Sequence, residues 1–172
     1  MWQYILTLIS GMMFFGFVGV GVGEFGLLSC YSAYAPKWGE KWPSPGTLNI
    51  WSMVTLVSAL LLLPVLLEQS NNSTWQFLGF LAPVSLILVS ISPDYQTNNF
   101  SWWIHQIGAL SAVVFVSLYS ILIPNLWWVV LIVVAVAAII SAITGFKKYW
   151  MFWAEMAMYL ATYIILFVII NI

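Results

Sequence analysis

The stretch Leu126–Thr144, LWWVVLIVVAVAAIISAIT, decides the fold. It carries no charged side chain, and its length is close to the roughly 20 residues with which a helix crosses a hydrocarbon core of about 30 Å. An open strand in that place would leave backbone amides and carbonyls unpaired in lipid, whereas a helix pairs them internally. Five more stretches of the same character surround it, at about 4–31, 49–67, 75–91, 102–123 and 150–170.

The whole chain agrees with this reading. Its 172 residues hold four basic and five acidic side chains, 63% are hydrophobic and 17% aromatic, and the mean hydropathy is +1.03. A soluble domain carries about 25% charged residues. The expected fold class is therefore all-α, a polytopic membrane protein built as a six-transmembrane-helix bundle, with residues 1–172 forming one domain. The loops left over are too short for a separate water-soluble domain, so any function is expected in the bundle or at its rims. The first stretch is longer and richer in glycine than a cleaved signal peptide, with no Lys or Arg ahead of it, and reads as a retained helix.

Composition also closes several functional classes. A single cysteine, Cys30, forbids an intrachain disulfide and paired-thiol chemistry, and reads as a small packing residue. A net charge of −1 with no basic cluster beyond Lys147 and Lys148 makes nucleic acid an unsuitable partner. One histidine excludes a bis-histidine haem, no Gly-x-Ser-Gly is present for a rhomboid-like serine site, and no His pair falls at i, i+4. No metal and no cofactor is expected.

The connections carry the next layer of information. Residues 32–48 form the longest loop, in which Pro36, Pro43, Pro45 and Gly46 argue against a continuous helix. Glu68–Thr74, Pro93–Ser101, Pro124 with Asn125, and Gly145–Tyr149 make the other turns. Pro83 in the third span predicts a kink and local space within the bundle. Three Asn-x-Ser/Thr triplets in these turns carry no weight, because such triplets recur by chance. With six crossings, Lys37, Lys41, Lys147 and Lys148 all fall on the face opposite the termini, so the positive-inside rule places that face in the cytoplasm and both termini outside. A bacterial inner membrane is the expected location. Tryptophans mark both interfaces, and Trp38 and Trp42 in the long loop suit a cap over the lysine end.

Three ionisable side chains fall inside spans: Glu24, His105 and Glu155. A charge in mid-bilayer costs about 2.5 to 3.5 kcal/mol on insertion scales, so each calls for a partner. Alternating the spans up and down brings all three to similar depth near the lysine face, with Asp94 in the loop beside His105. This predicts a shared polar pocket, in which Glu24, His105, Glu155 and Tyr159 contact a ligand and Trp102, Trp103 and Trp153 form aromatic walls. Glu155, Tyr159 and Thr162 are spaced to share one helix face. The simpler alternative is that one or two of these side chains snorkel to the interface.

Glycines 16, 19, 23 and 26 repeat at helical spacing in the first span, and Gly19 with Gly23 is a GxxxG pair. Packing inside the bundle is the first expectation for Gly16, Gly19, Gly23 and Gly26, and a homo-oligomer or membrane-protein partner the second. On the fourth span His105, Gly108, Ala109 and Ala112 make a complementary small face, and joining the two faces would bring Glu24 near His105.

The segment Ser92-Pro93-Asp94 followed by Trp103-Ile104-His105-Gln106-Ile107-Gly108-Ala109 resembles a broad group of six-span membrane proteins that includes the damage-regulated autophagy modulators and their lipid-remodelling relatives. The resemblance implies a lipid-associated membrane protein, functional positions at Asp94, His105 and Gly108, and a first loop outside the cytoplasm. Four functional classes follow: binding of a lipid or other amphipathic small molecule in the polar pocket; an intramembrane hydrolase or transferase with His105 as base and Asp94 or Glu24 orienting it; a proton-coupled carrier or channel; and an accessory subunit that docks through its glycine-rich helix.

Overall fold

In the computed structural model, which describes residues 1–43 and 49–171, 83% of the chain is helical and the described residues contain no strand. The helices are α1 (Trp2–Phe25), α2 (Tyr34–Lys41), α3 (Ile50–Gln69), α4 (Gln76–Ser90), α5 (Asn99–Leu122), α6 (Trp127–Thr144) and α7 (Phe146–Ile170), with a single 3-10 turn at Tyr31–Ala33 before α2. Five of them, α1, α3, α5, α6 and α7, are long and apolar enough to cross a membrane, and α4 is a shorter apolar helix.

Local chemistry sets the boundaries. Asn49 caps α3 by accepting from Ser52 N–H, and Asn98 caps α5 by accepting from Phe100 and Ser101 N–H. Gly26 ends α1 at φ 72° and Gly145 separates α6 from α7 at φ 117°, conformations that a Cβ would penalise. The first apolar stretch therefore stops as a helix at Phe25, short of the expected residue 31.

The long loop is more ordered than its prolines suggest. Pro36 sits in the first turn of α2, where its missing N–H has no intrahelical partner to lose, so the helix forms around it. Pro45 and Gly46 lie outside the described residues. Pro83, and Pro64 in α3, are each contained within one helix, so the expected kink does not interrupt α4.

Helices α1, α3, α4 and α5 pack in succession; α7 touches α1, α3 and α5 and carries α6. Helix α1 presents Thr7, Ser10, Phe14, Val18 and Gly21 inward. Gly21 lets the Tyr34 ring approach and Gly11 lies against the Tyr163 ring. The predicted stripe of Gly16, Gly19, Gly23 and Gly26 is on the opposite side, exposed, with open space where a Cβ would stand. It does no packing inside the bundle, because the inward face is the one that carries Thr7, Ser10, Phe14, Val18 and Gly21. On α5, Gly108 packs as expected, but its neighbour is α4: a Cβ would lie 2.9 Å from Ser85 O and 3.0 Å from Val89 N.

A buried polar knot joins three helices at mid-depth. Ser10 Oγ donates to Ser58 O (3.0 Å), which leaves Tyr163 Oη to donate to Ser10 Oγ (2.7 Å). Ser10 Oγ, Tyr163 Oη and the Ser58 carbonyl are thereby paired with one another.

Candidate functional site

The site is assembled around the segment that leaves α1. After Gly26 the chain folds back into the bundle, held by Tyr34, whose hydroxyl donates to Gly26 O (2.8 Å) and accepts from Leu28 N–H. Ser29 O accepts from Phe152 N–H of α7 (3.0 Å). One turn further along α7, Glu155 Oε2 accepts from Tyr31 N–H (2.5 Å). The Tyr31 hydroxyl donates to Thr55 Oγ1 (2.9 Å), since the Thr55 proton is given to Trp51 O (2.8 Å). Tyr31 thus links α3, α7 and the re-entrant segment, and its burial holds the phenol above its ordinary pKa, with the nearby Glu155 adding to the shift.

His105 stands on the second turn of α5, 3% exposed. Its ring stacks on Tyr95 at a centroid distance of 4.1 Å and faces Trp51 at 6.4 Å, and its Nδ1 lies 3.4 Å from Ser92 Oγ. Burial also raises the Tyr95 phenol above its usual value, opposed by the N–H that its oxygen accepts from Gln96 Nε2 (3.1 Å).

Of these groups Tyr31, His105 and Glu155 border a cavity of about 100 Å³, whose polar lining is completed by Ser32, Tyr159 and Thr162. That is room for a few water molecules at about 30 Å³ each, or for a small head group. Ala109, Ala112, Val113 and Val116 of α5 and Leu86 and Val89 of α4 supply the apolar wall. A groove of about 550 Å³ opens beside it between α5 and α6, floored by α7, and shares Ala109, Val113, Glu155 and Met158 with the cavity. On the other side of α6 a second groove of about 620 Å³ runs between α1 and α6, lined by Val18, Gly19, Val136 and Leu160 among others; its lining includes none of the polar cavity residues.

The structure brings together only part of the predicted site. Glu155, Tyr159 and Thr162 share the cavity face of α7, as their spacing requires, and His105 with Ala109 and Ala112 lines the same cavity from α5. Glu24 does not belong to it. Because α1 turns its Glu24 side outward, the carboxylate is exposed and pairs with Lys41 of α2. Asp94 is exposed too, and it is Ser92 that faces the His105 ring. The His105–carboxylate pairing expected from common depth is absent among the described hydrogen bonds. Trp102 and Trp103 are exposed and pack edge to face on each other. Trp153 walls the two lateral grooves, with its Nε1–H donated to Thr144 Oγ1.

Most of the neighbours that sequence reasoning missed lie outside the long helices. Tyr31, Ser32 and Tyr95 lie in connections, and Trp51, one of the tryptophans expected at the interface, is fully buried. Among the described residues no group of three or more His, Cys, Asp or Glu side chains is arranged to hold a metal. No protein-family model matches the chain, and neither curated proteins nor solved structures give a significant match.

Proposed function

We propose that this protein binds an amphipathic small molecule, with the apolar chain in the groove between α5 and α6 and the polar end in the cavity at Glu155, His105 and Tyr159. The observation that carries this reading is the adjacency of the two spaces, which share a wall at Ala109, Val113, Glu155 and Met158. A groove of about 550 Å³ with a mostly apolar wall shares Glu155 and Met158 with the cavity of about 100 Å³ that His105 and Tyr159 line. Sites for small molecules are largely apolar, occupy roughly 300–1,000 Å³ and hold a few convergent polar groups. The reading also agrees with the lipid-associated group that the segment around His105 resembles.

Two substitutions on one helix test it. Ala138 faces the α5–α6 groove and Val136 the α1–α6 groove. Ala138→Trp fills the first and Val136→Trp the second, at similar exposed positions. Saturable binding of long-chain amphiphiles, read by native mass spectrometry from a neutral detergent, is expected to disappear in Ala138→Trp and persist in Val136→Trp. Equal binding in both variants would remove the reading.

The same proposal includes six crossings, with α4 as the sixth. Gln69 Nε2 donates to Gln3 Oε1, so α3 ends beside the start of α1, while Ser92, just after α4, lies against His105 near the start of α5. Helix α4 therefore runs between opposite ends of the bundle. At 1.5 Å per residue its 15 residues span about 22 Å, short of a full hydrocarbon core. Its position between α3 and α5 supports the shorter path.

A further inference from the structure

We propose that the polar end of the bound amphiphile is an ammonium group held by Glu155. The inference rests on the amphiphile-binding reading above and names its ligand class. The protein contains four lysines and no arginine. Lys41 pairs with Glu24 and Lys37 with Glu40, Lys148 lies over the Tyr149 ring, and Lys147 is exposed. None of the four lines the cavity or the groove beside it. A phosphate or carboxylate head would meet the Glu155 carboxyl with no lysine or arginine at the cavity to offset it.

The hydrogen-bonding inventory points the same way. Glu155 receives one N–H, from Tyr31, and a carboxylate has about four lone-pair sites. Thr162 has given its proton to Met158 O and offers only acceptor capacity. Glu155 and Thr162 are acceptors here, Tyr159, Ser32 and His105 can accept as well as donate, and an ammonium with its three donors complements that set. A carboxylate within the membrane needs a partner of opposite charge, and among the described residues Glu155 has none. The alkyl chain would leave past Met158 and Ala109 into the groove.

The test uses the full-length protein in a non-ionic detergent, titrated with four probes and read as one-to-one adducts by native mass spectrometry. Dodecylamine, dodecanol and dodecyl phosphate share a chain and differ in head charge; butylamine keeps the head and removes most of the chain. Dodecylamine is expected to bind roughly tenfold or more tightly than dodecanol, the worth of one charge-assisted hydrogen bond, with dodecyl phosphate and butylamine weaker still. Glu155→Gln keeps an acceptor for Tyr31 N–H and is expected to erase the preference for the amine while dodecanol binding remains. If dodecanol or dodecyl phosphate binds as well as dodecylamine and Ala138→Trp abolishes both, the groove stands and the ammonium is overturned. Tight butylamine binding, indifferent to Ala138→Trp, would instead mean a free amine site without a chain. No saturable adduct with any probe overturns both proposals. The wild-type head-group series decides even if Glu155→Gln fails to fold.

Discussion

Two glycines make opposite demands although both sit in apolar helices. At Gly108 a methyl group would press on the backbone of Ser85 and Val89, which cannot swing aside as a side chain could. Gly108→Ala is expected to cost about 1–3 kcal/mol and lower the melting temperature in detergent. Gly19 has open space around it, so Gly19→Ala should leave the melting temperature unchanged or raise it, because alanine is the better helix former by about 1 kcal/mol. Equal losses from both would contradict the packing described. The sequence made Gly108 legible through its place on a small face with His105, Ala109 and Ala112. It misled at Gly19, because GxxxG records that close approach is allowed and is silent about which side of the helix has a neighbour. Glu24 is the same case: depth along α1 was readable, but rotation about the axis is set by Phe14, Ser10 and Gly21, which need α3, α7 and α2 to be placed first.

At the scale of elements, the segment from Gly26 through α2 is poorly read by hydropathy, which carries the first helix on to residue 31 and leaves the rest as loop, whereas the fold tucks Tyr31, Tyr34, Ala35 and Trp38 into the bundle. Periodicity over eight residues broken by Pro36 gives little to count, whereas α5 and α7 present several turns. This segment, together with Tyr95 in the connection between α4 and α5, should also shape alkaline stability. Burial raises the phenols of Tyr31, Tyr34 and Tyr95 above the ordinary value of 10.0. The folded protein keeps these protons at pH values where the unfolded chain has released them. Stability from this source is complete below pH 10.0 and falls as the pH rises through the raised native values. Melting temperatures followed from about pH 9 to about pH 11 should decline, and the decline should be shallower in Tyr95→Phe, which keeps the ring against His105. A flat profile in the wild type would show that these phenols titrate alike in both states.

For the whole molecule, one experiment decides both the proposed six crossings and their direction. The two lysine-bearing segments share one end of the bundle, since Ser29 and Tyr34 contact Phe152 shortly after Lys147 and Lys148, while Tyr4 packs on Phe167 at the other end. That clustering is what gives a count of only four lysines its force, because their votes come from two segments that the fold holds together. In a Cys30→Ser background, single cysteines at Asn71 and Asn98 bracket α4, and one at Lys148 marks the lysine end. All three positions are exposed. An impermeant maleimide added to intact bacterial cells expressing the protein should label Asn71→Cys and leave Asn98→Cys and Lys148→Cys untouched until the membrane is opened. The reversed pattern would keep α4 as a crossing and place the lysine end outside, the direction that the resemblance around His105 implies. Labelling of Asn71→Cys and Asn98→Cys from the same side would remove α4 from the set of crossings. The cavity at Glu155, which Leu86 and Val89 of α4 help to wall, would then open from a face that hydropathy alone assigns to lipid.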